Sequence, residues 1–180
     1  DAQTITQEGL GGLGITSAPA WSPDSSLVAF GVEGGYLLIA DLETEEIWQV
    51  IQIETGIIQS VAWSPDGELL LYGFDDGTVY ISDVESGEIL AQFVGPKGAI
   101  NNVLWLSEES LVAASSLDGS IWFWSLEEVE EAGEAEGIPF VTGEEEIVKL
   151  FWSSETFTFL YGTSDGTVVS LNLEADEPEP

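Results

Sequence analysis

The sequence contains no cysteine, histidine, arginine or methionine, and its only basic residues are Lys97 and Lys149. Each absence removes a class of chemistry. Without cysteine there are no disulfides, no thiolate metal sites and no redox reading of the compartment. Without histidine the usual base for activating a nucleophile is missing. Without arginine there is no bidentate clamp for phosphate or an oxyanion. No apolar run approaches the roughly 18 residues needed to cross a bilayer, and the N-terminus does not resemble a secretion signal. This predicts a soluble chain, cytoplasmic if natural or recombinantly expressed, and the start at Asp1 rather than Met is read as the mark of a trimmed segment. Losing four residue types together is unusual for a natural domain of this length. Adaptation to high salt accounts for the acid surplus and the scarcity of lysine. A deliberately designed chain accounts for all four absences.

What is present is acid and hydrocarbon. Asp and Glu number 34 in 180 residues, giving a net charge of −32, yet 44% of the residues are hydrophobic and 11% aromatic, seven of them Trp. That apolar content supports a folded core in one domain. A charge of this sign and size repels nucleic acid and anionic membranes, both polyanions. It keeps the surface solvated and attracts basic proteins.

The chain repeats itself. Trp21, Trp63, Trp105 and Trp152 are spaced by 42, 42 and 47 residues, and Gly35, Gly77, Gly119 and Gly166 keep the same intervals. Two independent markers with the same late excess of five establish four copies. In the second copy, "SVAW" ends at the turn "SPDG", and "ELLLYGF" ends at the tight Asp76-Gly77 turn. "TVYISDV" and "ILAQFV" follow, separated by "ESGE". Four short strands per period of about 42 residues predict an all-β propeller of four-stranded antiparallel blades, four per chain. The copies span about 15–52, 57–94, 99–143 and 146–173. Register places Thr4–Gln7 over the fourth strand of a preceding blade, so that segment is predicted to complete the last blade, while the acidic stretch 174–180 is predicted to be a flexible tail.

The segment "VAWSPDGELLLYGFDDGTVYISDVESGEIL" resembles a WD40 repeat along its full length, and the resemblance extends over essentially the whole chain. The Trp-Asp pair of that family falls on Ala40-Asp41, Ser82-Asp83, Trp124-Ser125 and Leu171-Asn172, and no copy keeps both residues. The family's Gly-His pair is missing because the chain has no histidine, so the hydrogen-bonded tetrad that His organises does not form. The resemblance implies a platform for protein partners.

Candidate sites are few. Asp76, Asp118 and Asp165 lie in equivalent turns and raise a calcium reading, but each belongs to a different copy and none lies in a dense ligand loop, so no metal and no cofactor is assigned. The tryptophans, one per copy at the same place, are read as strand packing rather than a ligand cage. The third copy carries the only lengthened connection, "LEEVEEAGEAEG", in which Glu127, Glu128, Glu130, Glu131, Glu134 and Glu136 form the candidate interaction loop. Its composition is that of a solvated charge run, too short and acidic for a stable helix.

No catalytic residue is assigned. A carboxylate pair of the glycoside hydrolase kind is the one chemistry the residue set permits, and 34 carboxylates would supply such a pair by chance. Three functions follow from these readings: a designed or engineered WD40-like scaffold without catalysis, a platform for basic partners in a salt-adapted organism, or a carboxylate glycoside hydrolase. The scaffold reading comes in two forms, a closed four-bladed monomer and a homodimer of half-rings making eight blades. Small residues in mid-strand (Gly31, Gly73, Ser115, Gly162) suit close blade stacking and favour the paired ring.

Overall fold

The computed structural model describes residues 12–53, 56–106, 111–126 and 134–173. The segments Thr4–Gln7 and 174–180, with Glu127, Glu128, Glu130 and Glu131, lie outside the described residues.

The first blade consists of β1 (Ala20–Trp21), β2 (Leu27–Val32), β3 (Tyr36–Asp41) and β4 (Glu46–Gln52). Its inner strand is short, and a single bridge between Ile15 and Val32 extends the pairing. The second blade runs β5 (Ile58–Trp63), β6 (Leu69–Phe74), β7 (Val79–Asp83) and β8 (Ile89–Val94). The third holds β9 (Ile100–Leu106), β10 (Leu111–Ser116), β11 (Ser120–Ser125) and β13 (Ile138–Thr142). The strand between them in sequence, β12 (Glu134–Glu136), leaves its own blade and pairs in parallel with β8 of the second. The fourth blade is β14 (Ile147–Ser153), β15 (Thr158–Thr163) and β16 (Val168–Asn172), three strands among the described residues. Apart from the β12–β8 pair, every strand pairing is antiparallel.

Turn chemistry sets the strand boundaries. Gly77 at φ 91° takes a left-handed conformation that closes the β6–β7 hairpin, where Phe74 N donates to Thr78 O at 2.9 Å. Pro23 and Pro65, which cannot extend a sheet ladder, follow the inner strands of the first two blades. The second strands of the first three blades are buried on both faces. β6, "LLLYGF", is covered almost throughout, so the simple alternation of a half-exposed strand is lost.

The core lies between blades, not within them. One cluster joins the first blade (Leu37, Ile39, Ile51) to the second (Ile58, Tyr72, Phe74). A second joins Leu71, Val79 and Ile81 to Ile100, Val103 and Trp124. A third joins Ala113 and Ile121 to Ile147, Leu150 and Phe159. Four blades thus make three interfaces. Within the second blade Tyr72 Oη and Ser82 Oγ form a buried hydrogen-bonded pair, 2.6 Å apart. Burial pushes the Tyr72 hydroxyl above its usual pKa, so it is held neutral.

Candidate functional site

Aligned copy on copy, the blades show where the structure stops being satisfied. The residues that face the following blade occupy one position per copy. Leu37, Val79 and Ile121 are equivalent and each is 0% exposed, whereas Val168, the same position in the last copy, is 74% exposed. Ala29, Leu71 and Ala113 are likewise 0% exposed, and their equivalent Leu160 is 39% exposed. Two differences set the last blade apart: the first three blades each have a following blade to pack on, and β16, unlike β3, β7 and β11, has no outer strand among the described residues.

Backbone proximity repeats the pattern. A Cβ added to Gly31 would lie 2.6 Å from Ile58 Cβ, and one added to Gly73 would lie 2.7 Å from Ile100 Cβ, so glycine is required for the blades to approach. At Gly162 the nearest neighbour would be Thr167 O at 3.9 Å, and at Gly166 nothing lies within 4 Å. By residue spacing Thr16 aligns with Ile58 and Ile100, and its Oγ1 is buried with no hydrogen-bond partner among the described residues. By strand pairing Ile15 takes their place, opposite Val32 as Ile58 is opposite Phe74, and it is 64% exposed.

The tryptophans prove to be more than packing. Trp63 Nε1 donates to Ala20 O at 2.9 Å, and Trp105 Nε1 donates to Ala62 O at 3.1 Å. Each indole therefore reaches the carbonyl of the residue just before the tryptophan of the preceding blade. Trp152 is the next in the series, and its buried Nε1 has no partner among the described residues. At the start of the series Trp21 is 60% exposed, against 8% for Trp63, and at the end Phe151 is 55% exposed. Sequence reasoning placed these residues in the packing and missed the hydrogen-bond ladder. Aligning the copies one position ahead of each tryptophan is the signal that could have found it.

The inner strands β1, β5, β9 and β14 converge on one cleft of about 560 Å³. Its wall is layered by the repeat. Ala18, Ser60, Asn102 and Lys149 occupy one equivalent position, and Ala20, Ala62, Leu104 and Phe151 occupy the next inward-facing one. A smaller apolar hollow of about 290 Å³ lies between the third and fourth blades beside Phe123, Phe140 and Trp152.

The turn aspartates are separated, one per blade, as the sequence requires. Asp76 Oδ1 accepts from Thr78 N at 2.9 Å, Asp118 Oδ1 from Ser120 N at 3.0 Å and Asp165 Oδ1 from Thr167 N at 2.9 Å. The Thr163 hydroxyl, foremost, holds the Asp165 carboxyl below its usual pKa. Of the six candidate loop glutamates, Glu134 and Glu136 fall on β12, opposite Gln92 and Val94 of β8, with Ala135 between them buried to 6% exposure. The end of that connection covers the outer edge of the second blade.

Inter-blade cores, indole ties and four meandering sheets define a β-propeller. Residues 19–108, half of the chain, match the family model described as the anaphase-promoting complex subunit 4 WD40 domain, and the chain belongs to this family of WD40 domains. The crystal structure of a computationally designed protein, Ika4, is similar with a TM-score of 0.76 at 19% identity, over 96% of this chain and 98% of that one. That likeness bears on the fold alone. No curated protein matches the chain. Among the described residues no helix is long and apolar enough to cross a membrane.

Proposed function

We propose that this chain is a non-catalytic propeller scaffold that pairs with a second copy of itself, the open face of the fourth blade in one copy packing on the first blade of the other. The observation that carries the reading is Val168, 74% exposed where its three equivalents are 0% exposed. Burying Val168 and Leu160 as their equivalents are buried is worth about 1.5–3 kcal/mol per side chain, which sets a useful sum against the cost of association. The register is supplied by the repeat. Trp21 Nε1 of one copy would reach the Phe151 carbonyl of the other, and Ile15 would sit over Gly162 as Ile58 sits over Gly31. Two such contacts related by a two-fold axis make an eight-bladed ring, at about 45° per blade. The segment Thr4–Gln7 of each chain would add the outer strand to the other's last blade.

WD40 domains are generally non-catalytic, and the lack of His, Cys and Arg supports the absence of catalysis here. The four missing residue types support reading the chain as a designed scaffold, and a propeller fold shared with a designed protein fits a scaffold. The net charge of −32 favours a second reading, a platform whose outer carboxylates recognise basic proteins.

Light scattering on a sizing column tests the pairing. The parent should elute at twice 19.3 kDa in moderate salt. Within one chain a Cβ added at position 162 meets nothing closer than Thr167 O at 3.9 Å, whereas Gly162→Val would collide with Ile15 of a second copy, so it should elute at 19.3 kDa with its melting transition retained. A parent peak at 19.3 kDa, or a G162V chain that still pairs, would sink the paired ring. Co-elution with one added basic protein at about 0.15 M salt would favour the platform reading instead.

A further inference from the structure

Among the described residues the walls of the inner cleft contain no carboxylate, although the chain has 34 of them, and they contain Lys149, one of its two cations. We infer that this cleft binds an amphipathic organic anion, with the anionic head at Lys149 and the apolar body along the adjoining layer. The head would lie in the layer of Ser60, Asn102 and Lys149. Lys149 is exposed, so its ammonium reaches the cleft without leaving water. Ser60 Oγ already accepts from Val103 N at 3.1 Å, which leaves its O–H to donate. Asn102 is fixed by donating from Nδ2 to Val148 O at 3.3 Å, so the layer is held in place by contacts between blades.

The next layer supplies the apolar half of the site. Ala20 and Ala62 leave room beside Leu104 and Phe151, and their carbonyls are already engaged by the Trp63 and Trp105 indoles. The Ala20 and Ala62 side of that wall is therefore hydrocarbon with its carbonyls engaged. Glu144, Glu145 and Glu146 precede β14 on the Lys149 side, exposed and outside the cleft lining, and Asp24 and Asp66 lie past Pro23 and Pro65 at the opposite end of the inner strands from Lys149. At a rise of about 3.3 Å per residue the two aspartates sit well away from the polar layer. An anion would thus bind with its head directed away from them. A cation would find no partner on these walls, and a neutral apolar molecule would gain nothing from Lys149. All of these residues belong to one chain, so the site does not depend on pairing.

The test titrates the full chain with 8-anilinonaphthalene-1-sulfonate at about 0.15 M salt, following fluorescence and calorimetry, alongside its neutral analogue N-phenyl-1-naphthylamine. Losing a charged hydrogen-bond partner should weaken sulfonate binding about tenfold in Lys149→Gln. Lys97→Gln, whose side chain lies outside the cleft, should leave binding unchanged, and the neutral analogue should be insensitive to either substitution. Equal affinity of parent and K149Q for the sulfonate, equal weakening by K97Q, or binding of the neutral analogue as tight as that of the sulfonate would overturn the assignment. The mass of each sample, read in parallel, separates this result from the fate of the paired ring.

Discussion

In the first two blades a single carboxylate fastens the turn after the inner-strand tryptophan. Asp24 Oδ1 accepts from Ser22 Oγ at 2.7 Å and Ser26 N at 3.0 Å, and Asp66 Oδ1 accepts from Ser64 Oγ at 2.5 Å and Glu68 N at 3.0 Å. These bonds favour the ionised form. The Ser22 hydroxyl, followed by the Ser26 amide, holds Asp24 at about 2, and the Ser64 hydroxyl leads in lowering Asp66. Because the folded pKa lies below the unfolded one, the turns contribute fully above the ordinary carboxylate range and lose their contribution as pH falls through the folded value. The untethered carboxylates act in the opposite sense, since protonating them relieves self-repulsion. The melting temperature should therefore hold or rise from pH 7 to about 4.5 and fall below about 3.5. Thermal melts of an Asp24→Ala, Asp66→Ala chain should start lower at pH 6 and show a flatter acid limb. An acid limb as steep as the parent's would place the acid sensitivity in other groups.

Among the elements, β12 is the one whose place the sequence did not disclose. The four strands of each copy are legible because Pro65, Gly77 and their equivalents interrupt the apolar runs at fixed intervals. The blade faces are also legible, since Leu37, Val79, Ile121 and Val168 align. The run from Glu127 to Glu136 reads as solvated because acid dominates it, and the parallel pairing of Glu134–Glu136 with Gln92–Val94 depends on backbone groups that composition does not report. Among the described residues of that run, the core takes one small apolar side chain, Ala135. The ties of Trp63 and Trp105 were hidden for a similar reason, as their acceptors are main-chain carbonyls. β12 covers an edge that would otherwise offer unpaired donors and acceptors to other chains. Ala135→Asp puts a charge into that contact and should cost about 2–3 kcal/mol, read as a lower denaturant midpoint, with Ala135→Ser costing less. If A135D unfolds at the parent midpoint, β12 does not secure the edge of the second blade.

At the scale of the molecule, a charge of −32 and an unfinished ring act against each other. The open face around Leu160 and Val168 carries no ionised group at those positions, so pairing through it forms no ion pair for salt to break. Salt acts instead on the long-range repulsion, within each chain and between two chains of like charge. The screening length falls from about 30 Å at 0.01 M to about 10 Å at 0.1 M, the range over which charges spread on one small domain stop sensing each other. Raising salt across that range should therefore increase both the melting temperature and the paired fraction, the reverse of an interface held by salt bridges. The two effects separate by concentration. Folding within one chain does not depend on protein concentration, whereas a melting temperature stabilised by pairing rises with it. The parent should show both dependences, while Gly162→Val should keep the salt response and lose the concentration response. Sedimentation velocity and thermal melts over the same salt series measure each part. A melting temperature unchanged between 0.01 and 0.1 M would mean that the carboxylates are spaced too widely to oppose folding; a paired fraction that falls as salt rises would mean that the chains meet through charge and not through the open blade faces.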